Sequence, residues 1–216
     1  MNTHAAFSAS YAVARAKFLE AAVAAGMTLR CYEHPLKGRD GETLAMDAAL
    51  DGPPDAEKLF IVSSACHGVE GYCGSGVQVH AAHDAEWRAK ARASGVAVLY
   101  IHALNPYGFS HARRTTHENV DLNRNFHDFS QPLPVNEVYR EIHDLLLPAQ
   151  WPPTAANEAA IAAYIDTHGV ARYQAAVSQG QHEYADGMFF GGCAPTTGST
   201  STPGCRLSSG RWSGAR

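Results

Sequence analysis

The sequence lacks several features that would assign it to a functional class at once. It has no run of about 18 consecutive apolar residues, which a membrane-spanning helix requires. Its 17 basic and 21 acidic residues give a formal net charge of −4, and the basic residues form no stripe. The first residues contain no basic region followed by an apolar segment. We therefore expect no nucleic-acid partner, no membrane partner and no secretion signal, which favours a cytoplasmic protein.

The cysteines do not form any pattern that indicates a disulfide framework or a metal-binding CxxC pair. There are five of them, at positions 31, 66, 73, 193 and 205. With an odd number and no secretion signal, reduced thiols are expected. Cys66 directly precedes His67, and we interpret it as a small buried residue at the end of a strand rather than as a nucleophile.

The last part of the chain has little that could build a core. No histidine follows His182 and no acidic residue follows Asp186. Residues 193–216 are mostly threonine, serine, glycine and proline, with arginine as their only charged residue. Such a composition cannot bury enough apolar surface to fold by itself. We predict a folded domain at residues 1–192 and a disordered tail at residues 193–216.

What is present is an alternation of strand and helix patterns. Continuous apolar runs at residues 59–62 and 96–101 predict two strands buried on both faces, and the helical pattern at 72–94 predicts a parallel crossover between them. Residues 28–33 and 43–48 flank a turn and predict a hairpin. Helices are further predicted at 7–25, 136–147 and 157–177. The predicted fold class is α/β, with a mainly parallel, doubly wound mixed sheet flanked by helices.

Two candidate metal ligands follow the first apolar run. His67 and Glu70 lie three residues apart, just where that strand should end. In parallel sheets, ligands gather at the carboxyl ends of the strands. Imidazole nitrogen and carboxylate oxygen suit Zn²⁺, which takes three protein ligands and an open water position when it is catalytic. A surface histidine and a solvated glutamate would give the same spacing, but the position after a buried strand favours a zinc site.

A second group of polar residues follows the second apolar run. The NPYGF motif (residues 105–109) is followed by Arg113 and Arg114, and then by the DLNRNF motif (residues 121–126). Arginine binds carboxylates through paired hydrogen bonds and stabilises oxyanions in dry clefts. Asn123 and Arg124, within DLNRNF, are therefore candidate carboxylate-binding residues, with a polar structural loop as the alternative interpretation.

Together these motifs resemble a known family. The HGVEG motif (residues 67–71) after one strand, NPYGF after the next, and DLNRNF resemble the zinc carboxypeptidase superfamily of carboxypeptidase A type. The resemblance covers roughly residues 5–195. The NPYG variant and the GMFFGG motif (residues 187–192) resemble most its uncharacterised bacterial branch of carboxypeptidase-like proteins.

The resemblance implies a zinc-dependent metallocarboxypeptidase-like hydrolase of peptide or amide bonds. It makes His67 and Glu70 zinc ligands, and it makes Asn123 and Arg124 the residues that hold the carboxylate of the substrate. Arg114, with Arg113 as the second choice, would polarise the scissile carbonyl. The expected substrate is a small peptide or an acylated amino acid with a free carboxylate.

The family pattern also includes a third zinc-binding histidine and a glutamate that activates water, both after the GMFFGG motif. This sequence offers neither, so we expect a truncated version of the fold, as a frameshift or premature end would produce. His182 and His168 are the histidines to consider as substitutes, whereas His102 is expected in the core. Two other functions stay open: a zinc deacylase of desuccinylase type, which releases an acyl group from an amino acid, and a catalytically inactive truncated product.

Overall fold

The computed structural model describes residues 2–196, which fall into two compact units. Unit 1 comprises residues 2–117, and unit 2 comprises residues 118–196. Most of the predicted tail, from residue 197 onward, lies outside the described residues.

Unit 1 is built from one sheet and five helices. The strands are β1 (Thr28–Lys37), β2 (Thr43–Asp51), β3 (Lys58–Ser63) and β4 (Val96–His102), in the order β1–β2–β4–β3. The helices are α1 (Thr3–Ala6), α2 (Tyr11–Ala24), α3 (Gly71–His83), α4 (Ala85–Ala93) and α5 (Pro106–Ser110). The predicted α/β class and mixed sheet are confirmed.

The prediction of a mainly parallel sheet is wrong for the described residues. Strands β3 and β4 pair in parallel, with Lys58 opposite Val96, as expected for a strand–helix–strand unit. The β1–β2 and β2–β4 pairs are antiparallel. The β1–β2 pair is antiparallel because the tight turn after β1, closed by a hydrogen bond from Gly38 N–H to Glu42 O, is too short to return the chain in parallel. A doubly wound arrangement stays a prediction.

The core of unit 1 forms where helices α2 and α3 pack on the sheet. Phe18 of α2, Val79 of α3 and Tyr100 of β4 are fully buried in one apolar cluster. Strand β2, which lies between β1 and β4, is buried along almost its whole length. These contacts hold the carboxyl ends of β3 and β4 in fixed positions.

Strand β3 was predicted to be covered on both faces, but much of its apolar surface is exposed. Leu59, Phe60 and Ile61 are 53%, 50% and 42% exposed. In the described part of the chain, β3 is the last strand of the sheet and pairs only with β4. A continuous apolar run does not reveal whether a strand is central or at an edge, so the prediction holds for β4, which is mostly buried, and fails for β3.

Buried ion pairs tie the helices to strand β2. Asp47 accepts two hydrogen bonds from Arg15 of α2, at 2.6 and 3.0 Å. Asp51 is held by Arg88 and Arg92 of α4. Burial of Asp51 opposes its ionisation, but the hydrogen bonds from both arginines outweigh it and hold the pKa of this carboxyl below its ordinary value. These pairs fix α2 and α4 against the sheet.

Unit 2 consists of loops and three helices. The helices are α6 (Glu137–Leu146), α7 (Ala155–His168) and α8 (Val170–Gln179). The single helix predicted at 157–177 is divided at Gly169, whose φ of +86° is incompatible with a continuing helix. A short parallel bridge joins Gln181 to Phe190 and fixes the GMFFGG segment.

Two sequence expectations concern membranes and thiols. Among residues 2–196, no helix combines the length and the apolar character that crossing a bilayer requires. None of the four cysteines in this part of the chain forms a disulfide.

Candidate functional site

The two predicted zinc ligands lie side by side in unit 1. His67 follows strand β3 and begins a 3-10 turn, Gly68–Glu70, that leads directly into α3. The Nδ1 atom of His67 is 2.9 Å from Oε1 of Glu70. The His67 side chain is 13% exposed and that of Glu70 is 63% exposed. The spacing of three residues thus brings an imidazole and a carboxylate together at the carboxyl end of a parallel strand.

The glycines of the HGVEG motif allow this turn to pack against the NPYGF motif. A Cβ atom at Gly68 would overlap with backbone atoms of Gly108 and Phe109. A Cβ at Gly71 would lie 2.6 Å from the ring of Phe109 and 2.8 Å from Cβ of Ala65. Both distances are far below van der Waals contact, so the two segments can meet only where side chains are absent.

Asn105 of the NPYGF motif connects these segments to the arginine pair. Its side chain is fully buried; Oδ1 accepts a hydrogen bond from Gly108 N–H at 2.8 Å, and Nδ2 donates to Arg114 O at 3.3 Å. The carbonyl of Arg114 also accepts from Gly68 N–H, and that of Arg113 from Val69 N–H, both at 3.1 Å. Three motifs separated in sequence therefore form one hydrogen-bonded unit, with the Arg113–Arg114 backbone directly beside the His67–Glu70 turn.

The side chain of Arg113 is held by a neighbouring threonine, whereas Arg114 is the residue expected to act on the substrate. The guanidinium of Arg113 donates two hydrogen bonds to Oγ1 of Thr115, at 3.2 and 2.8 Å. This contact fixes the Arg113 side chain on its own loop. The role predicted for Arg114, polarising a carbonyl, stays a prediction.

The residues present match zinc in donor type but not in number. His67 and Glu70 supply one nitrogen and one oxygen donor, whereas a catalytic zinc takes three protein ligands. Among residues 2–196, no group of three histidine, cysteine, aspartate or glutamate side chains is arranged to hold a metal ion. His67 and Glu70 are therefore a half-site, with two of the three ligands that a catalytic zinc requires.

The DLNRNF motif forms a 3-10 turn in unit 2. The turn, Leu122–Arg124, is capped by the buried Asp121, whose Oδ1 accepts a hydrogen bond from Asn123 N–H at 3.0 Å. Arg124 donates from Nη2 to Ser178 O at 2.7 Å and from Nη1 to Asn123 O at 3.2 Å. These bonds fix the guanidinium, while the side chain of Asn123 stays exposed.

The GMFFGG motif packs against the same turn. Asn125 donates from Nδ2 to Gly191 O at 2.7 Å. A Cβ at Gly191 would lie 2.8 Å from Arg124 O and also 2.8 Å from Nε2 of His182. His182 in turn places Nδ1 2.7 Å from Gly192 O. The paired glycines thus let both Arg124 and His182 approach the backbone closely.

A cavity of about 250 Å³ lies beside Arg124 within unit 2. Its wall is formed by residues 123, 124, 126, 127, 134–136, 179, 180 and 182. Three of these residues, Arg124, His127 and His182, can carry a positive charge, and none of them is acidic. Asn123 and Arg124 in this wall were predicted from the sequence as binding residues, whereas no sequence spacing recommended His127.

His102, expected in the core, is indeed fully buried. Its ring stacks on Phe18 with 4.6 Å between centroids, and Nε2 lies 2.9 Å from Oγ of Ser75. Burial lowers the pKa of His102 to about 4, so the ring is neutral at ordinary pH. Its role is structural.

Comparison with solved structures gives two weak likenesses. The structure of a metallo-carboxypeptidase from Burkholderia cenocepacia is 18% identical with a TM-score of 0.36, over 52% of this chain and 32% of that one. A proposed carboxypeptidase from Burkholderia mallei is 16% identical with a TM-score of 0.36, over 71% of this chain and 46% of that one. The chain thus spans less than half the length of either, and both TM-scores are too low to show a shared fold.

Comparison with curated proteins gave no match. Among protein families, one model matches residues 7–202, which is most of the chain and includes every motif described above. The chain therefore belongs to the family described as "Protein of unknown function (DUF2817)".

Proposed function

We propose that this chain is a metallocarboxypeptidase-like hydrolase of amide bonds, acting on small peptides or acylated amino acids that carry a free carboxylate. The observation that carries the proposal is the contact between His67 and Glu70 at the carboxyl end of β3, with the Arg113–Arg114 backbone hydrogen-bonded to the same turn. This is the position at which parallel strands present ligands and catalytic groups. The resemblance of the HGVEG, NPYGF and DLNRNF motifs to zinc carboxypeptidases supports the same assignment.

The metal is part of the proposal. His67 and Glu70 would hold Zn²⁺, which would supply an acidic bound water and polarise a carbonyl. A third ligand is required for tight binding and has to come from a group beyond this pair. The Glu70 side chain is 63% exposed, so an ion can approach its carboxylate from solvent.

The other predicted residues act on the substrate. Arg114, beside the metal half-site, would stabilise the negative charge that develops on the carbonyl oxygen during attack. Asn123 and Arg124 of unit 2 would hold the substrate carboxylate, for which the guanidinium of Arg124 is already oriented by the carbonyls of Asn123 and Ser178. Fixing these donors before the substrate arrives lowers the entropic cost of binding.

The test is hydrolysis of an N-acyl amino acid and of its methyl ester, which lacks the free carboxylate, by the full chain with added Zn²⁺. We expect the amide bond to be cleaved at least about tenfold faster in the free acid, which releases the amino acid, than in the ester, which releases the amino-acid methyl ester, because only the acid pairs with Arg124. Arg124→Gln should remove this preference. Arg172→Gln, which changes an exposed arginine of α8 that pairs with Glu141, should leave it unchanged.

Equal rates for acid and ester, or no release from either, would contradict the proposal. A parallel assay on a dipeptide separates the two chemistries. Release of the C-terminal residue indicates a carboxypeptidase, and release only from N-acyl amino acids indicates a deacylase.

A further inference from the structure

Strand β3 leaves one edge of the unit 1 sheet open. In the described part of the chain it pairs only with β4. Ser64 N–H, directly after the strand, donates to Ile101 O of β4, so the even-numbered residues of β3 turn their backbone groups toward β4. Because these directions alternate along a strand, the backbone N–H and C=O groups of Leu59, Ile61 and Ser63 point outward. An open edge of this kind is a template for pairing with another strand.

The open edge is apolar on both faces of the strand. Side chains alternate along a strand, so Leu59 and Ile61 lie on one face. Phe60 and Val62 lie on the other, where the ring of Phe60 meets that of Trp87 in α4, with 6.1 Å between centroids. Leu59, Phe60 and Ile61 are all half-exposed. A strand that pairs here must offer apolar side chains on both of its own faces, because a charged one would be buried without a partner.

The two edges of this sheet are built differently. Strand β1, at the opposite edge, carries Glu33 and Pro35, and its register with β2 changes between Glu33 and Lys37. Charges, proline and irregular pairing are the usual protection of a strand that stays at an edge. Apart from its first residue, Lys58, strand β3 is uncharged, contains no proline and keeps an unbroken register with β4. Its sequence is therefore typical of a strand that is paired on both sides.

A second copy of β3 meets these requirements, and no other strand among residues 2–196 does. Strand β1 is charged, and β2 and β4 already have neighbours on both sides. Two copies that meet through the same surface are related by a twofold axis, so their β3 strands run antiparallel. The outward backbone groups belong to odd-numbered residues in both copies, so odd-numbered residues face odd-numbered ones. Such a register joins like faces, which continues each apolar face across the two copies.

We propose that β3 pairs with β3 of a second copy of this chain, in the register that sets the two Phe60 residues opposite each other. Leu59 of each copy then faces Ile61 of the other. The two Phe60 rings form an aromatic cross-strand pair beside Trp87, a type of pair that stabilises sheets. The inference concerns assembly and does not depend on the proposed function.

Charge and apolar contact both favour this register. It places Lys58 opposite Val62, so that no two lysines meet, and like charges directly opposite each other destabilise a sheet. The neighbouring register, centred on Ile61, would set the apolar Leu59 against the hydroxyl of Ser63. Less apolar surface would then be removed from water.

The size of the interface determines how strong the pairing is expected to be. Three half-exposed apolar side chains bury on the order of 100 Å² each, so the two copies together bury roughly 600 Å² of side chain besides the paired backbone. Stable interfaces between proteins bury about 1,200 Å² or more. We therefore expect a dimer in equilibrium with the monomer, with a dissociation constant on the order of 10 μM.

Sedimentation velocity of the full chain, from about 1 to about 200 μM, covers concentrations on both sides of this constant. The sedimentation coefficient should rise with concentration from that of a monomer to that of a dimer and no further, because pairing occupies the open edge of both copies. A monomer at every concentration, or growth to larger species, would overturn the inference.

A charge on the open edge should prevent the pairing. Leu59→Lys should raise the dissociation constant at least about tenfold, because the ammonium group would face Ile61 of the second copy. The half-exposed position of Leu59 leaves the monomer able to fold. Val23→Lys makes a similar change at a position of α2 that is 67% exposed, and it should dimerise as the unmodified chain does. Equal dimerisation of the two variants would contradict pairing through β3.

A disulfide tests the register. Phe60→Cys should give a covalent dimer on oxidation with diamide, because opposite residues at such a position have Cα atoms about 4.5 Å apart, within the reach of a disulfide. The unmodified chain and Val23→Cys contain the same five native cysteines and give the background of cross-linking. A yield from Phe60→Cys that does not exceed this background would overturn the proposed pairing, even where sedimentation shows a dimer.

Discussion

Replacing Gly68 with alanine is expected to lower the free energy of unfolding by about 3 kcal/mol, at the upper end of the cost of overpacking. The new Cβ would overlap with the backbone of Gly108 and Phe109. Backbone atoms cannot move aside as the end of a flexible side chain can, so the HGVEG turn and the NPYGF segment must separate. Separation would stretch the hydrogen bonds from Gly68 and Val69 to the Arg113–Arg114 loop.

Chemical denaturation of both proteins measures this effect. Val69→Ala is the matched control, because Val69 lies in the same 3-10 turn and is 46% exposed. Its stability should change by less than about 1 kcal/mol. If Gly68→Ala were as stable as the unmodified chain, the close packing of the two motifs would be wrong.

Replacing Asn105 with leucine should cost a similar amount, about 3 kcal/mol. Leucine branches at Cγ as asparagine does, but it is larger, cannot pair with Gly108 N–H and removes one of the two donors to Arg114 O. Asn105 is fully buried, so water cannot replace these bonds without opening the site. We also expect hydrolytic activity to fall, because the loop that carries Arg114 loses its anchor.

The exposed Asn123 provides the comparison for this substitution. Asn123→Leu should change the free energy of unfolding by no more than about 0.5 kcal/mol. Thermal unfolding of the two variants and of the unmodified chain measures both changes in stability. Comparable stability of Asn105→Leu and Asn123→Leu would mean that Asn105 does not connect the motifs.

The parts of the fold that could be predicted are those with a local signal. The parallel β3–β4 pair followed from two apolar runs with a helical pattern between them. The predicted helix at 72–94 is instead two helices, because the Asp84 side chain accepts hydrogen bonds from the backbone of Glu86 and Trp87 and begins α4. That capping position was visible in the sequence, as was Gly169 between α7 and α8.

The wrong predictions concern which strands lie side by side in the sheet, because a local sequence pattern carries no information about distant pairing partners. An apolar run such as residues 59–62 predicts a strand, but its place at the edge of the described sheet depends on which strands pair beside it. The proportion of parallel strand pairs in the sheet was overestimated because it, too, depends on which strands become neighbours. Strand β2 was predicted as a hairpin partner, whereas its second pairing, with β4, links residues some fifty positions apart, such as Asp47 and His102.

The candidate site shows the same division. The adjacency of His67 and Glu70 follows from a spacing of three in a tight turn. The need for glycine at position 68 depends on its contact with Gly108 and Phe109, about forty residues later in the chain. The need for asparagine at position 105 depends on the bonds of its buried side chain to Gly108 N–H and Arg114 O in the folded loop. The sequence alone could therefore name the motifs but not explain them.

Zinc binding to the full chain tests the central claim most directly. Calorimetric titration of Zn²⁺ should show one ion bound per chain, with the affinity reduced at least about tenfold in His67→Ala. His83→Ala, which changes an exposed histidine at the end of α3, should bind as the unmodified chain does. Loss of binding in His67→Ala alone would establish the half-site. No zinc binding, or equal binding by all three proteins, would contradict the assignment of His67 and Glu70 as metal ligands.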